Sequence, residues 1–197
     1  MSVMRGRDET PTARSGVKLT YDDYVLFPED GKRHELIDGE HFVTPSPNTK
    51  HQTIAINLAG MIWSRLQQQP IGRVFTAPFD VVFSDFDVVE PDLLYLSTGR
   101  AATVLTSKHA RGAPDLAVEI GSKGTRKRDE TIKRRLYERF GVSEYWVIDP
   151  ELDAIKVYRL VGEHYERTAE LSLENGDVLT TPLLPGFDLP LAKIFEE

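Results

Sequence analysis

The chain has 197 residues, of which 40% are hydrophobic and 28% are charged, proportions that fit a globular protein with a substantial core. It contains no cysteine, which excludes a disulfide framework, a thiolate metal site and a cysteine nucleophile, and no apolar run approaches the ~20 residues that cross a bilayer. The N-terminal residues lack the apolar segment of a secretory signal, so we expect a cytoplasmic protein without a membrane partner. The net charge of -7 indicates that any nucleic-acid site is local.

The N-terminal part of the chain divides into a polar arm and the beginning of a folded region. Residues 1–16 are polar, arginine-containing and aperiodic, so we expect a disordered arm there, followed by a single domain over residues 17–197. Thr20 then precedes Tyr-Asp-Asp-Tyr. This is an N-cap followed by acids in the first turn, and it predicts a short helix.

A hairpin is predicted next, because two short strands flank Asp38-Gly39, a dipeptide that favours a tight turn. Glu35 lies in the first of these strands. Taken alone, Glu35 is predicted to be an exposed charge on an edge strand.

A long helix is predicted from about residue 49 to residue 68, after a break rich in proline. His51 lies in its first turn on the apolar face, where a capping or packing role is more common than ligation, so it is a secondary candidate for a functional site. The predicted core stripe of the helix consists of Ile54, Leu58, Met61, Ile62 and Leu66.

The middle of the chain predicts strands separated by turns. We expect strands over residues 73–76, 79–83 and 88–96, with a turn over 84–87. Residues 97–112 mix turn residues with small apolar residues and predict a loop with a weak helix.

A strand over residues 114–120 and a helix from about residue 126 to residue 140 follow. The helix is predicted to bury Ile132, Leu136 and Phe140, with Lys133 on the flank of that stripe. Further strands and a proline-rich tail complete the chain, and this order of elements predicts a mixed sheet flanked by helices.

Acidic residues embedded in apolar strand segments are the first indication of chemistry. A buried carboxylate is costly unless a metal, a lysine or a proton compensates it, and salt bridges at strand ends are the alternative explanation. Without cysteine, such carboxylates are oxygen donors suited to Mg²⁺ or Mn²⁺, and a lysine beside them can offset transition-state charge. The embedded acids are Glu35, Asp80, Asp92, Asp115 and Glu119.

A local run of cations comes directly after Glu119 and is suited to phosphate contacts. For each of these side chains taken singly, a solvated helix start is the alternative explanation. The run consists of Lys123, Arg126, Lys127 and Arg128.

The segment Glu90-Pro91-Asp92, with Glu119 one strand later, resembles the PD-(D/E)XK nuclease signature. The wider pattern is similar to the Uma family of restriction-endonuclease-like proteins, over roughly residues 20–160. The segments that carry this resemblance are His34–Gly39, Ala77–Val81, Glu90–Leu93, Gly112–Glu119, Thr125–Asp129 and Gly141–Pro150.

The resemblance implies a restriction-endonuclease-like fold of the α/β (α+β) class, with a mixed central sheet flanked by helices, an N-terminal hairpin and C-terminal strands. It also implies an endonuclease that hydrolyses DNA phosphodiester bonds with Mg²⁺ or Mn²⁺ and acts as a homodimer. By this resemblance Asp92 and Glu119 are the metal ligands and the Ile120 carbonyl is a third. Glu35 corresponds to a further ligand or a water-orienting acid.

The sequence departs from the signature at the lysine position, which is occupied by Gly121. The resemblance suggests instead a lysine that reaches in from the following helix, and Lys133 fits that place, with Lys123 as a rival. The glycine also leaves open a catalytically inactive nucleic-acid-binding or assembly module of the same fold. A glycosidase-like carboxylate pair is a third, weaker alternative, because the sequence is not rich in aromatic residues.

Overall fold

The computed structural model describes residues 16–44, 46–122 and 124–196. The predicted arm over residues 1–16 lies outside these ranges except for Gly16, and so does Lys123. The helices are Tyr21–Tyr24 (α1), Thr49–Gln68 (α2), Thr98–Val104 (α3), Arg126–Arg128 (α4), Arg134–Arg139 (α5) and Leu191–Ile194 (α6), and a π-helical turn over Asp129–Lys133 joins α4 to α5.

The strands form two larger sheets and one small one, with orders β2-β1-β5-β4-β7, β11-β10-β9-β8-β6-β3 and β12-β13. Most neighbours are antiparallel, but β8 is parallel to β9 and β4 to β7, so both larger sheets are mixed. The strands are β1 Arg33–Ile37, β2 Glu40–Thr44, β3 Gly72–Thr76, β4 Val81–Ser84, β5 Asp87–Val89, β6 Leu93–Ser97, β7 Ala110–Arg111, β8 Leu116–Ile120, β9 Glu144–Asp149, β10 Ala154–Val161, β11 His164–Ser172, β12 Val178–Thr180 and β13 Asp188–Pro190.

The predicted mixed sheet flanked by helices, with an N-terminal hairpin and C-terminal strands, is confirmed. The hairpin turn depends on its sequence, since Asp38 and Gly39 have φ values of 52° and 74°, the left-handed conformation that both central residues of such a turn need. A Cβ atom at position 39 would lie 2.6 Å from the Lys18 Cβ atom, so glycine is required there for space as well.

The six-stranded sheet is covered on both faces. Its β8 residues alternate between the faces, as the period of a strand dictates. Val118 packs with Leu58 and Ile62 of α2, whereas Ala117 packs with Leu136 of α5. None of the helices in the described ranges is long and apolar enough to cross a membrane.

The prediction of one continuous strand over residues 88–96 is wrong. The chain leaves the first sheet after Val89 and enters the second at Leu93, so Glu90-Pro91-Asp92 is the crossing between two sheets. Pro91 has no N–H to donate to a ladder, which favours a break at this point.

Candidate active site

The crossing between the sheets places Asp92 beside Glu119. Leu93 of β6 pairs with Val118 of β8 in an antiparallel register, so the residues just before and just after this pair are neighbours across the two strands. The backbone N–H of Ile120 donates a hydrogen bond of 2.7 Å to Asp92 Oδ2, which fixes the carboxylate at the end of β8.

Both oxygens of the buried Asp92 carboxylate accept contacts from cationic or polar donors. Arg33 Nη1 lies 2.5 Å from Oδ1, and His51 Nε2 lies 3.2 Å from Oδ2. Burial raises the pKa of Asp92, but the hydrogen bond with His51 and the charge of Arg33 outweigh it and lower the pKa to about 2. Asp92 is therefore an anion throughout the neutral pH range.

Glu119 is held by two donors that meet at one oxygen. Lys133 Nζ lies 2.8 Å and Tyr137 Oη 2.6 Å from Glu119 Oε1. Burial raises the pKa of Glu119, the ammonium of Lys133 opposes this shift, and the carboxylates of Asp129 and Asp92 add to it. The second oxygen of Glu119 is not engaged by these two donors.

Lys133 is the centre of the cluster, with only 2% of its surface exposed. Its Nζ atom lies 2.7 Å from Glu35 Oε1 as well as 2.8 Å from Glu119. Burial lowers the pKa of Lys133, but the charges of Glu119 and Glu35 prevail and hold its pKa above the usual value. The side chain is therefore a buried ammonium ion between two carboxylates.

The π-helical turn explains why Lys133 faces inward. In the turn Asp129–Lys133 both end residues are buried, and Leu136 and Tyr137 continue the buried face in α5. The predicted stripe with Ile132 is wrong, because this residue is 40% exposed. A π turn adds a residue to the helical repeat, which rotates the residues on either side of it, and such turns are frequent at functional sites.

Glu35 is not the exposed edge charge predicted from its own neighbourhood, since it is 1% exposed. The strand β1 lies between β2 and β5, so it is not at an edge. Glu35 accepts a hydrogen bond of 3.0 Å from the backbone N–H of Glu90, and Arg128 Nη2 lies 3.4 Å from its second oxygen.

Several members of the cluster were not among the candidates predicted from the sequence. No local sequence pattern distinguished Arg33. Tyr137 could have been found from its spacing, because it follows Lys133 by one helical turn. Glu90 was quoted only as part of the motif, yet it is buried, and its Oε2 atom has no hydrogen-bond partner among the described residues. Burial raises the pKa of Glu90 to about 7, with Asp80 and Glu35 adding to the shift.

The secondary candidates separate into two groups. His51 contacts Asp92, and Asp80 accepts a hydrogen bond of 2.8 Å from Tyr24 Oη, close to Glu90. Asp115, in contrast, accepts a hydrogen bond of 2.6 Å from the backbone N–H of Ser97, before the other end of β8. Asp115 is therefore not part of the cluster.

The predicted phosphate-binding cations that are described differ in their availability. Arg126 pairs with Asp149 at 2.6 Å, and Arg128 donates a hydrogen bond of 2.7 Å to Thr44 Oγ1. Lys127 is exposed.

A cleft of about 460 Å³ opens beside Asp92, with Arg33, His51 and Glu90 in its lining. A second cavity of about 100 Å³ shares Arg33 and His51 and reaches Ile120 at the end of β8. Glu119 and Lys133 line neither cavity, so they lie behind Arg33 and Asp92 as seen from the cleft.

The donors at this site suit a hard cation in their chemistry. The carboxylates of Asp92 and Glu119 supply oxygen atoms only, and Mg²⁺ takes one or two carboxylates and keeps several waters. Over the described ranges, however, no three or more histidine, aspartate or glutamate side chains are arranged to hold a metal ion. Arg33 Nη1 contacts Asp92 Oδ1, an oxygen that a cation bound by Asp92 could use.

The mixed sheet, the crossing at Glu90-Pro91-Asp92 and the carboxylates beside Lys133 define a restriction-endonuclease-like protein. The chain belongs to the Uma2 family, described as "Putative restriction endonuclease", whose model matches residues 21–192. This confirms the family predicted from the sequence motifs.

The fold is shared with a solved structure from Anabaena variabilis ATCC 29413, described as a "putative nuclease belonging to DUF820". The two chains are 24% identical, the match covers 90% of this chain and 97% of that one, and the TM-score is 0.74. No curated protein matches the chain.

Proposed function

We propose that this protein is a metal-dependent nuclease that hydrolyses phosphodiester bonds of DNA. The observation that carries the proposal is the position of Lys133 Nζ, 2.7 Å from Glu35 and 2.8 Å from Glu119, directly behind a cleft lined by Asp92. Carboxylate ligands with a cation beside them are the groups that metal-assisted phosphoester hydrolysis needs. Membership of a family described as restriction endonucleases supports the same class of reaction.

In this proposal Asp92 and Glu119 hold an Mg²⁺ or Mn²⁺ ion, with the Ile120 carbonyl as a third ligand. When bound, such an ion activates water for attack and neutralises charge on the phosphoryl group. Asp92 is suited to its role because its pKa of about 2 keeps it ionised. Glu119 has one oxygen held by Lys133 and Tyr137, which leaves the other for a ligand role.

Lys133 has two tasks in this proposal. Its ammonium orients Glu119, and it counters the negative charge that develops on the phosphoryl oxygens. Glu35 keeps this ammonium charged and in place, and Tyr137 fixes the same Glu119 oxygen from the other side. In this proposal Lys133, the last residue of the π-helical turn, takes the place of the lysine that the signature lacks at Gly121.

DNA is the proposed substrate. Because the net charge of the chain is -7, the protein surface as a whole does not attract DNA, and binding requires a local group of cations. Arg33 lines the cleft and Lys127 is exposed, and in this proposal these two cations contact phosphate groups. The homodimer stays a prediction from the family resemblance.

The test is a cleavage assay on supercoiled plasmid and on linear duplex DNA with Mg²⁺, with Mn²⁺ and with EDTA. We expect cutting that needs the metal ion and that falls at least a hundredfold in Asp92→Asn, Glu119→Gln and Lys133→Met. The matched control is Asp115→Asn, a change of another buried acid beside β8 that lies outside the cluster. The proposal is wrong if Asp92→Asn and Glu119→Gln cut as fast as the wild type.

A catalytically inactive nucleic-acid-binding module is the second candidate. The position of Arg33 favours this candidate, because the guanidinium contacts the Asp92 oxygen to which a metal ion would bind. In that case the wild type binds duplex DNA but cuts none with either metal ion, and Asp92→Asn leaves the DNA affinity unchanged.

A further inference from the structure

The ion pair between Arg33 and Asp92 stands between the cleft and the carboxylate cluster. Arg33 is the first residue of β1, and its side chain is 19% exposed, whereas that of Asp92 is 3% exposed. Its Nη1 atom lies 2.5 Å from Asp92 Oδ1 and 3.4 Å from the backbone carbonyl oxygen of Glu90. Arg33 also lines both cavities.

Asp92 cannot take a cation on Oδ1 while Arg33 occupies that atom. Its other oxygen is held by the backbone N–H of Ile120 and by His51. The N–H belongs to a buried strand, and His51 is fixed in the first turn of α2, with its own N–H bonded to Asn48. Of these three donors, Arg33 has a long, flexible side chain that lines the cleft, so it is the donor that can move away from Asp92.

A phosphate group is the ligand that could draw Arg33 away. The planar guanidinium matches a phosphate in bidentate geometry, and it is weakly hydrated, so little is lost when it changes partners. Among the residues that line the larger cleft, Lys32 is the other lysine or arginine, and its Nζ atom is 3.0 Å from Asp30. The lining also includes the acids Glu29, Glu90 and Asp92, and most of its remaining residues are neutral.

We propose that Arg33 is a positioning residue that changes partner from Asp92 to a phosphate of the nucleic acid, so that substrate binding frees Asp92 for the metal ion. The inference rests on the proposed function and adds its regulation: metal and substrate bind with positive coupling, and the carboxylate stays blocked until the substrate arrives. By linkage, the metal ion strengthens DNA binding by the same factor.

The first measurement is Mn²⁺ binding by calorimetry, without DNA, for the wild type, Arg33→Met and Lys32→Met. Methionine keeps the length of the side chain and removes the charge, and Lys32 is a neighbouring cation in the same cleft. We expect Arg33→Met to bind Mn²⁺ at least tenfold more tightly than the wild type, and Lys32→Met to differ less than threefold. Adding Asp92→Asn to Arg33→Met should abolish the gain, which places the ion at Asp92.

The second measurement is the affinity for a labelled 12-base-pair DNA duplex by fluorescence anisotropy, in EDTA and in Ca²⁺, an oxygen-ligated cation used as the probe. The wild type and Lys32→Met should bind DNA more tightly in Ca²⁺ than in EDTA. The size of this gain should be about the factor by which the Mn²⁺ affinity of Arg33→Met exceeds that of the wild type. Arg33→Met itself should show no such gain in DNA affinity. Thermal melting of each variant shows that it is folded, and a gel shows that the duplex is intact.

The inference is overturned if Arg33→Met binds Mn²⁺ no better than Lys32→Met, or if the Ca²⁺ gain persists without Arg33. If either result is found and the wild type cuts DNA, the coupling through Arg33 is wrong but the proposed nuclease function stands. If no variant binds Mn²⁺ and none cuts DNA, the proposed function fails together with it.

Discussion

Lys133 Nζ lies 2.8 Å from Glu119 Oε1, and this contact joins a buried strand to a helix fourteen residues further along the chain. The parallel strands β8 and β9 require a crossover between them, and the helical segment with the π turn is that crossover. Its position over the sheet brings Lys133 to the carboxylates. A local E-X-K motif would instead have supplied the lysine from the strand itself. Gly121 is compatible with this arrangement because the cation comes from elsewhere.

Removing the ammonium should destabilise the fold in a pH-dependent way. Lys133→Met leaves Glu35 and Glu119 close together without their cation, and breaking a buried ion pair from one side costs about 3–5 kcal/mol. We expect a loss of this size in the free energy of unfolding at pH 9.5 and a smaller loss at pH 7, since burial already raises the pKa of Glu119 to about 8 and the ammonium opposes that shift. The reason is that one carboxyl of the variant can take up a proton and end the repulsion.

Urea unfolding followed by circular dichroism at both pH values measures this effect. Lys127→Met is the control, because it removes an exposed lysine from the same helical segment and should stay within about 0.5 kcal/mol of the wild type. Equal losses for the two variants would contradict the buried ion pair.

The sequence was sufficient to identify the principal members of the cluster. Asp92 and Glu119 are two of the five acids embedded in apolar segments, and the resemblance assigned both to one site with Lys133 and Glu35. Their proximity is borne out by the distances from Lys133 to Glu35 and Glu119. Their roles in catalysis stay predictions.

The remaining features depend on long-range pairing that no local pattern contains. Glu35 is buried because β5, about 50 residues away in the chain, pairs with β1, and the N–H of Glu90 directly after β5 donates to Glu35. Arg33 reaches Asp92 for the same reason, since the two are 59 residues apart in the chain. A hydrophobic period of 3.6 residues also cannot anticipate a π turn, which is why the exposure of Ile132 was predicted wrongly.

The π turn itself can be tested with two substitutions on successive helical turns. Ile132 is 40% exposed, so Ile132→Gln should change the free energy of unfolding by no more than about 0.5 kcal/mol. Leu136 is buried, and Leu136→Ala should cost about 2–5 kcal/mol. Chemical denaturation of both variants decides the matter, and a large loss for Ile132→Gln would favour a regular α-helix with residues 132 and 136 on one buried stripe.

Glu144 provides a buried acid whose role should be purely structural. It accepts hydrogen bonds from Trp146 Nε1 at 2.7 Å and Thr181 Oγ1 at 2.9 Å, and Arg159 Nε lies 3.2 Å from it. Glu144→Ala should cost about 3–5 kcal/mol of stability, because it leaves buried donors and a cation without their partner.

The same variant should bind Mn²⁺ as the wild type does, since Glu144 is at the opposite end of β8 from Glu119, across from Leu116. Calorimetry beside urea unfolding separates the two properties, and Glu119→Gln is the comparison that should lose metal affinity. A loss of Mn²⁺ binding in folded Glu144→Ala would show that the two ends of the strand are coupled.

Glu90 should make the protein less stable as the pH rises through the weakly acidic range. Its pKa is about 7 in the folded state, chiefly through burial, against an ordinary value of 4.5. Between these pH values the folded protein retains a proton that the unfolded chain has released, so the free energy of unfolding falls as the pH increases. The contribution is about 1–3 kcal/mol, and at pH 5 most of this penalty is absent.

Glu90→Gln removes this titration while keeping the shape of the side chain. Urea unfolding at pH 5 and pH 7.5 should therefore show a smaller decrease in stability for Glu90→Gln than for the wild type, and Glu163→Gln, an exposed position, should follow the wild type. If Glu90→Gln retains the full wild-type decrease, another group must account for the pH dependence. Asp80 is then the one to examine, because burial also raises its pKa and it shares Tyr24 with Glu90.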